Sequence, residues 1–175
     1  ALYQKDFSQE TWFKEAASSE NKFPVSVEDL HVDEVVEQIY RNGGHTMSFT
    51  APIIDKASGK ILGIWTTRTH WQETVEKTVE EYVTKAKSEN MPLIFPKLVN
   101  ADGVLLFHPQ NAAEVLSKKF ENFTSLAKKL DSGAFVHAIS LKESSYSGNG
   151  YEALAESKGH GAYPGLGWVA AVSVP

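Results

Sequence analysis

The side chains that most often carry out catalysis are either missing from this sequence or spaced without a recognisable pattern. The chain has no cysteine, which excludes thiol nucleophiles, thiolate metal ligands and disulfides. Its six histidines show no pair with the spacing of a metal-binding motif. The Ser/Gly-rich segment 144–150 matches neither a nucleophile elbow nor a phosphate loop, and we predict a flexible loop there. The sequence therefore predicts a protein that is not an enzyme, with no catalytic residues, no metal site and no cofactor.

Two side chains have the chemistry of small-molecule binding instead. Arg68 carries a planar guanidinium, which can hold a carboxylate or a phosphate through two parallel hydrogen bonds. Trp12 combines a flat apolar body with one N–H donor, which suits the wall of a small pocket. A position in the hydrophobic core explains Trp12 equally well.

A β-hairpin between His45 and Trp71 is predicted to position Arg68. Apolar residues alternate with serine and threonine along its first strand, from residue 46 to residue 53, which is the period of a half-buried strand. The polar residues 55–59 form a turn, and the second strand follows from residue 61 to residue 69.

Three elements are predicted ahead of this hairpin. They are a helix from about Ser8, capped by Asp6 or Ser8, a strand over residues 22–30, and a helix over residues 33–40 that Asp33 caps. On the second helix, Val36, Ile39 and Tyr40 share one face.

The longest helix is predicted directly after the hairpin, over residues 71–90. A second group of elements then follows in the order strand, strand, helix, helix and three strands. The predicted ranges are a strand at 92–99, a turn at 100–103, a strand at 104–108, helices at 112–120 and 123–130, and strands at 134–141, 151–156 and 168–174.

Length and charge narrow the class of protein. A chain of 175 residues can bury a real core as one large domain or two small ones. A net charge of −5 argues against a nucleic-acid surface. The longest apolar runs, such as 103–107 and 168–172, are too short to cross a bilayer, and the N-terminus lacks the pattern of a signal peptide.

Four segments resemble, in the right order, motifs of the double Cache sensor domains, which are extracytoplasmic ligand-sensing domains of bacterial and archaeal receptors. The residues Ser48–Asp55 followed by Gly59–Trp65 are similar to the last hairpin of the family's membrane-distal lobe. The others are Asp6–Phe13, similar to the start of its Trp-Phe helix, Asn100–Pro109, similar to the first hairpin of the second lobe, and Gly161–Trp168, similar to the approach to its last strand. Each motif alone is weak, but four in register over nearly the whole chain are specific.

The resemblance implies an α+β fold of two PAS-like (Cache) lobes, each an antiparallel sheet with helices on one face, joined by a long helix. It divides the chain into a partial membrane-distal lobe (1–71), a connecting helix (72–90) and a membrane-proximal PAS-like lobe (91–175). A full distal lobe has a long helix and two strands ahead of the Trp-Phe helix, whereas this chain begins almost at that helix. We therefore expect a distal lobe that is incomplete at the N-terminus, through trimming or because the lobe is pared down.

The resemblance also bears on the ligand, through two reversed charges. In the amino-acid-sensing branch of the family, an Arg before the Trp holds the ligand carboxylate and an Asp at the end of the last distal strand holds the amine. Here Glu10 stands at the Arg position and Arg68 at the Asp position. An α-amino acid in the usual orientation would meet like charges at both ends, which is costly in a partly dehydrated pocket. We expect Arg68 to face an anion or carboxylate instead, and a direct ion pair between Glu10 and Arg68 is the alternative.

The resemblance implies that eight residues line the ligand pocket. They are Glu10, Trp12, Phe13, Asp29, His31, Tyr40, Ser48 and Arg68. Some have simpler explanations, which the sequence leaves open: Asp29 and His31 can be exposed or cap the next helix, and Tyr40 can pack on its own helix face.

The function that this resemblance implies is the sensing of a small molecule by a transmembrane receptor. We expect the periplasmic or extracellular part of a cell-membrane protein, homodimeric in the full-length receptor, with its membrane segments and effector outside this chain and no nucleic-acid partner. A methyl-accepting chemotaxis protein is the first expectation, and the sensor of a histidine kinase or diguanylate cyclase is the second. A cytosolic PAS-like module for dimerisation or cofactor binding is the alternative from another class.

Overall fold

The computed structural model describes residues 5–18, 25–91, 94–120, 134–143, 146–161 and 163–175. The chain is α+β and divides into two compact units, Ala1–Gln72 and Glu73–Pro175, with one antiparallel sheet in each. Within the described residues, no helix is long and apolar enough to cross a membrane.

The first unit is a three-stranded antiparallel sheet with two short helices. The strands pair in the order β1-β2-β3, so the predicted hairpin is confirmed as β2 and β3. The elements are α1 (Thr11–Ala17), β1 (Ser26–Val32), α2 (Glu34–Tyr40), β2 (His45–Ile54) and β3 (Ile61–His70). Helix α1 packs against all three strands, so one sheet face is covered.

The burial of β2 departs from the predicted half-buried pattern. Alternation ordinarily buries the apolar residues of a strand, yet here the polar set of Thr46, Ser48 and Thr50 is no more than 1% exposed. In the apolar set, Met47 is buried and Ile53 is 47% exposed. The reason is that β2 is the central strand, and its polar face is the one that α1 covers. Hydrogen bonds satisfy part of this buried polar face, such as the 2.9 Å contact between the hydroxyls of Thr50 and Thr66.

The two helices of this unit begin differently. The predicted cap of α2 is confirmed, because Oδ1 of Asp33 accepts hydrogen bonds from the N–H groups of Val35 and Val36 at 2.8 and 3.0 Å. The predicted start of α1 at Ser8 is wrong, since the helix begins at Thr11 and no side chain caps it. The carboxylate of Asp6 makes a local hydrogen bond instead, since its Oδ1 accepts from the Ser8 N–H at 2.9 Å.

The predicted shared face of α2 is present, since residues three and four apart lie on one side of a helix, but little of it is buried. Val36 is buried, but Ile39 and Tyr40 are 56% and 60% exposed. The helix ends in a left-handed residue, Arg41, at φ 53°. Helix α2 is only two turns long and packs against β2.

The second unit is a five-stranded antiparallel sheet in the order β5-β4-β8-β7-β6. The predicted long helix is present as a π-helical turn (Gln72–Glu76) that continues into α3 (Lys77–Ser88). The strands are β4 (Phe95–Val99), β5 (Leu105–Phe107), β6 (Ala134–Glu143), β7 (Tyr146–Glu156) and β8 (Val169–Val174). Val99, Leu154, Val169 and Ala171 form the core on one sheet face, with Phe120 packed against them.

Two predictions for this unit are wrong. The helix expected over 112–120 is only a 3-10 turn at Ala112–Glu114, because residues 116–120 bond along β5 instead. Leu105 donates to Lys118 at 2.9 Å and accepts from Leu116 at 2.8 Å. The loop expected at 144–150 is strand from Tyr146 onward, while the helix expected at 123–130 lies outside the described residues.

The turn between β4 and β5 supports a stability prediction. Gly103 has φ +83° and donates to the carbonyl of Asn100 at 3.0 Å, so the predicted positive φ is confirmed. We expect Gly103→Val to lower the free energy of unfolding by about 1 kcal/mol or more, because a branched side chain is strained in this region.

The matched control is Gly103→Asn, since asparagine tolerates the left-handed region and should lose less. Thermal unfolding followed by the fluorescence of Trp168, the one tryptophan of this unit, measures both variants. Equal melting temperatures for the Val variant and the original chain would contradict the strain argument.

Candidate ligand cavity

Two adjoining cavities lie in the first unit, between the N-terminal segment with α1 and the covered face of the sheet. Their volumes are about 320 Å³ and 310 Å³. Both are lined by Lys5, Phe7, Trp12 and Arg68. We call the first the acidic cavity and the second the aromatic cavity, after the further residues that line each.

Arg68 is fixed between Asp33 and Trp12. Its Nε donates to Oδ2 of Asp33 at 2.6 Å, and its guanidinium carbon lies 5.7 Å from the centre of the Trp12 ring. Within the described part of the chain, this is the one hydrogen bond that Arg68 makes through its side chain, so its two terminal NH₂ groups keep their donors. The guanidinium is therefore held in place without being saturated.

The two carboxylate oxygens of Asp33 accept hydrogen bonds from different partners. Oδ1 caps α2, and Oδ2 binds Arg68. Burial favours protonation of this carboxyl, but the hydrogen bonds from Arg68 and from the N–H groups of Val36 and Val35 outweigh it, so the pKa of Asp33 is lowered from its usual 3.8. Asp33 is therefore ionised near neutral pH.

A β-bulge brings two residues of β1 to the acidic cavity. Glu28 pairs with Ser48 of β2 and His31 pairs with Thr46, so one extra residue of β1 lies between these two pairs. Residues three apart in a regular strand point to opposite faces, but across the bulge Glu28 and His31 both line the cavity. The Nδ1 atom of His31 lies 2.8 Å from the carbonyl oxygen of Asp29.

Ser48 is a buried residue of β2 that lies next to two residues of the acidic cavity without lining it itself. Its neighbours across the sheet are Glu28 on one side and Arg68 on the other, and neighbours in register share a face. Ser48 is 1% exposed, and its hydroxyl has no hydrogen-bond partner among the residues that the structure describes. A buried hydroxyl without a partner is unusual in a folded protein.

The two cavities differ in charge. The acidic cavity is lined by four carboxylates, Glu10, Glu28, Asp33 and Glu34, against the two cations Lys5 and Arg68. The aromatic cavity has the same two cations but one carboxylate, Asp6, together with Ser8, Phe13, Ile64 and Thr66. No three His, Asp or Glu residues in the described part of the chain are placed to hold a metal ion.

Most of the expected ligand residues are brought together. Glu10, His31 and Arg68 line the acidic cavity, Phe13 lines the aromatic one, and Trp12 lines both. Arg68 pairs with Asp33 instead of Glu10, so the alternative of a direct Glu10–Arg68 pair is wrong.

Three expected residues line neither cavity, and the first of them is Ser48, which is buried on β2 between Glu28 and Arg68 in register. Asp29 does not line either cavity, and its Oδ1 accepts from the N–H of Leu30 at 2.7 Å. Tyr40 is exposed, and its ring meets that of His70 edge to face at 5.6 Å between centroids.

Several lining residues were not expected as ligand residues from the sequence, among them Lys5, Glu28 and Asp33. Asp33 was recognised only as a cap, and the position of its free oxygen could not be read from the cap signal. Glu28 stands in a strand whose bulge leaves no mark in the sequence. Their approach to Arg68 depends on how the elements pack.

Solved structures with the same fold are sensory domains. The chain matches the ligand-binding domain of the Pseudomonas aeruginosa PAO1 amino acid chemoreceptor PctC, in complex with GABA, at 20% identity and TM-score 0.59, covering 98% of this chain and 63% of that one. It matches the periplasmic sensory domain of the Campylobacter jejuni chemoreceptor Tlp1 at 15% identity and TM-score 0.61, covering 97% and 56%. The extracellular domain of the putative histidine kinase rpHK1S-Z16 matches at 15% identity and TM-score 0.55, covering 97% and 60%.

No family model and no curated protein matches the chain. The chain spans 56–63% of the length of the three solved domains. Their identities of 15–20% make the comparison one of architecture. The chain therefore has the Cache-like fold of the periplasmic and extracellular sensory domains of chemoreceptors and histidine kinases.

Proposed function

We propose that this chain is the extracytoplasmic ligand-sensing part of a transmembrane signalling receptor, in the first place a methyl-accepting chemotaxis protein. The fold it shares with chemoreceptor sensory domains supports this proposal. The sensor of a histidine kinase is the second candidate, because extracellular domains of such kinases share the fold as well. A diguanylate cyclase receptor stays an expectation from the sequence.

In this proposal the two units are the two lobes of a double Cache domain. The distal lobe is residues 1–71, the helix 72–90 follows it in sequence, and the PAS-like proximal lobe is residues 91–175. The separate antiparallel sheets and the turn of π-helix at Gln72–Glu76 are in keeping with that division. The full-length receptor would be a homodimer whose membrane segments lie outside this chain.

The ligand in this proposal is a small molecule bound in the cavities of the first unit. The observation that carries it is the guanidinium of Arg68, which Asp33 and Trp12 hold in place while its terminal NH₂ groups stay without a protein acceptor in the described residues. Such a fork binds carboxylates through paired charge-assisted hydrogen bonds. We propose an anion or carboxylate that faces Arg68, with Trp12 and Phe13 as apolar walls and Glu10 and His31 nearby. Ser48, which is next to Arg68 in register, is the remaining residue we propose for this site.

Ligand binding would act on the receptor by favouring one of its conformations. A ligand shifts such an equilibrium only by its difference in affinity for the two states. The PctC domain was solved with GABA, a small molecule with a carboxylate and an amine, and a ligand of similar size fits a cavity of about 320 Å³.

A thermal-shift screen of the 175-residue chain tests this function. We expect at least one small carboxylate, amino acid, amine or purine to raise the melting temperature by several degrees, because a ligand at about 100 times its Kd stabilises a folded protein by about 2.7 kcal/mol. The shift should vanish in Trp12→Ala, which removes a wall of both cavities.

Glu81→Gln on the exposed side of α3 is the control and should keep the full shift. A screen without a single hit would count against the sensor proposal. Hits that Trp12→Ala leaves unchanged would move the ligand to another part of the molecule.

A further inference from the structure

We infer that two copies of this chain pair edge to edge through strand β3, so that their three-stranded sheets join into one continuous antiparallel sheet. The partner is a second copy related by a two-fold axis, since two identical strands that run antiparallel to each other form a symmetric pair. The inference concerns the sheet of the first unit and does not depend on the sensing function proposed above.

The first support is the open edge of β3. In the described residues β3 pairs with β2 alone, so every second residue along it directs its N–H and C=O away from the sheet. The pairing with β2 is regular from Gly63 to His70, and the one bulge of this pair, at Leu62, lies next to the turn. The segment Gly63–His70 therefore presents an unbroken row of backbone donors and acceptors to another strand.

The opposite edge of the same sheet, strand β1, carries features by which proteins block such pairing, and the regular part of β3 lacks them. Strand β1 contains the charged residues Glu28 and Asp29, with a bulge between Glu28 and His31. The one charged residue of β3 is Arg68, which lies on the covered face and is bound to Asp33. A long edge strand without such protection is expected to pair with another strand.

Large apolar side chains are exposed beside this edge. On β3, Trp65 is 63% exposed and Leu62 is 67% exposed, and Ile53 and Ile54 of β2 are about half exposed. Trp65 pairs with Ala51, two residues before Ile53, so Trp65 and Ile53 share the sheet face that α1 does not cover. Exposed apolar side chains that lie together mark an interaction surface. A strand added to β3 would cover the side of Trp65 that faces the edge.

The sequence of β3 is compatible with itself in an antiparallel pair. Residues directly opposite each other share a face, so the two-fold axis must relate one residue of β3 to its own copy. With Thr66 as that residue, Trp65 lies opposite Thr67 of the other copy and Ile64 lies opposite its Arg68. No like charges meet in this register, and an aromatic ring beside a β-branched residue is a favourable cross-strand pair. Because Ile64, Thr66 and Arg68 line the aromatic cavity, the second copy would extend the floor of that cavity.

Sedimentation velocity of the 175-residue chain over a range of concentrations tests the inference. We expect a dimer at about 100 µM that dissociates on dilution to about 1 µM, because an edge-to-edge contact is smaller than a standard interface. Trp65→Lys should weaken the dimer at least tenfold, since it removes the exposed ring and places a charge at the edge. Thr67→Lys, at another exposed position of β3, should have the same effect and serves as the second variant if Trp65→Lys fails to fold.

Two further lysine variants are matched controls. Val32→Lys changes an apolar residue that is 56% exposed on β1, the opposite edge strand, and should leave the dimer intact. Ile53→Lys changes the same sheet face as Trp65, but on the central strand, and should weaken the dimer much less. If Ile53→Lys weakened the dimer as strongly as Trp65→Lys, the contact would be between two sheet faces, which would overturn the inference.

Hydrogen exchange followed by mass spectrometry at both concentrations locates the contact. We expect peptides of β3 to exchange more slowly in the dimer than in the monomer, and peptides of β1 to exchange equally in both, because only the edge of β3 gains backbone hydrogen bonds. A chain that is monomeric at every concentration would overturn the inference. A dimer that neither Trp65→Lys nor Thr67→Lys weakens would also overturn it. Equal protection of β3 at both concentrations would mean that another segment of the same chain occupies the edge, which again contradicts pairing between two copies.

Discussion

Replacing Arg68 with Ala should weaken the binding of a carboxylate ligand at least 100-fold. Hydrogen bonds to a charged group contribute about 1.5–3 kcal/mol each, and a paired fork makes two of them. A 100-fold loss corresponds to about 2.7 kcal/mol, slightly less than the roughly 3–6 kcal/mol of two such bonds, so it is a lower bound. Titration calorimetry with the carboxylate hits of the screen gives the ratio of the two dissociation constants.

Arg68→Lys separates charge from shape in this test. Lysine keeps the positive charge but lacks the planar fork and the stacking contact with Trp12, so we expect an affinity between those of the original chain and the Ala variant. Glu10→Ala should leave binding of a simple carboxylate unchanged or strengthen it, because it removes a like charge from the acidic cavity.

Unchanged affinity in Arg68→Ala would place the anion elsewhere. Common α-amino acids are the further control for the charge assignment. Tight binding of one of them that depends on both Glu10 and Arg68 would mean that the reversal of charges read from the sequence is misaligned.

The parts of the fold that local chemistry determines could be predicted from the sequence. Alternation and the turn at 55–59 were enough for the β2–β3 hairpin, because strand period and turn residues are properties of neighbours in sequence. The positive φ of Gly103 and the cap at Asp33 are equally local. A few residues fix each of these features, whatever packs on them later.

The parts that depend on packing could not be predicted in the same way. The buried side of β2 is the polar one because α1 covers it, and no pattern within β2 records which face a helix will cover. The segment 112–120 has helical periodicity, yet its backbone bonds along β5 and this pairing decides its structure. Tertiary contacts override local preference in both cases.

The candidate site could be predicted from the sequence only in part. Trp12 and Arg68 were expected from motif resemblance, and both line the cavities. Glu28 reaches the acidic cavity only because a bulge changes the register of β1, and one inserted residue reverses the face of everything beyond it. Sequence therefore indicated the anion end of the site, while the acidic end needed the structure.

Asp33→Ala should lower the free energy of unfolding of the first unit by about 2–4 kcal/mol. The variant loses the N-cap of α2, typically about 1 kcal/mol, and the charge-assisted hydrogen bond to Arg68, about 1.5–3 kcal/mol. Both groups of the ion pair are largely buried, with 20% and 12% of their side chains exposed, so solvent screens it little. Urea unfolding followed by tryptophan fluorescence reports on this unit, because it contains three of the four tryptophans, including the fully buried Trp71.

Asp33→Asn divides the loss between its two causes, since asparagine caps a helix as well as aspartate but carries no charge for Arg68. The pH dependence supplies a second measure. The pKa of Asp33 is lowered in the folded chain, so its stabilising effect is complete above the usual value of 3.8 and is lost as the pH falls through the folded pKa. The difference in stability between the original chain and Asp33→Asn should therefore be constant near neutral pH and narrow in acid below 3.8. A difference that stays the same at low pH would show that the charge of Asp33 adds nothing, and that Arg68 is held in place by Trp12 alone.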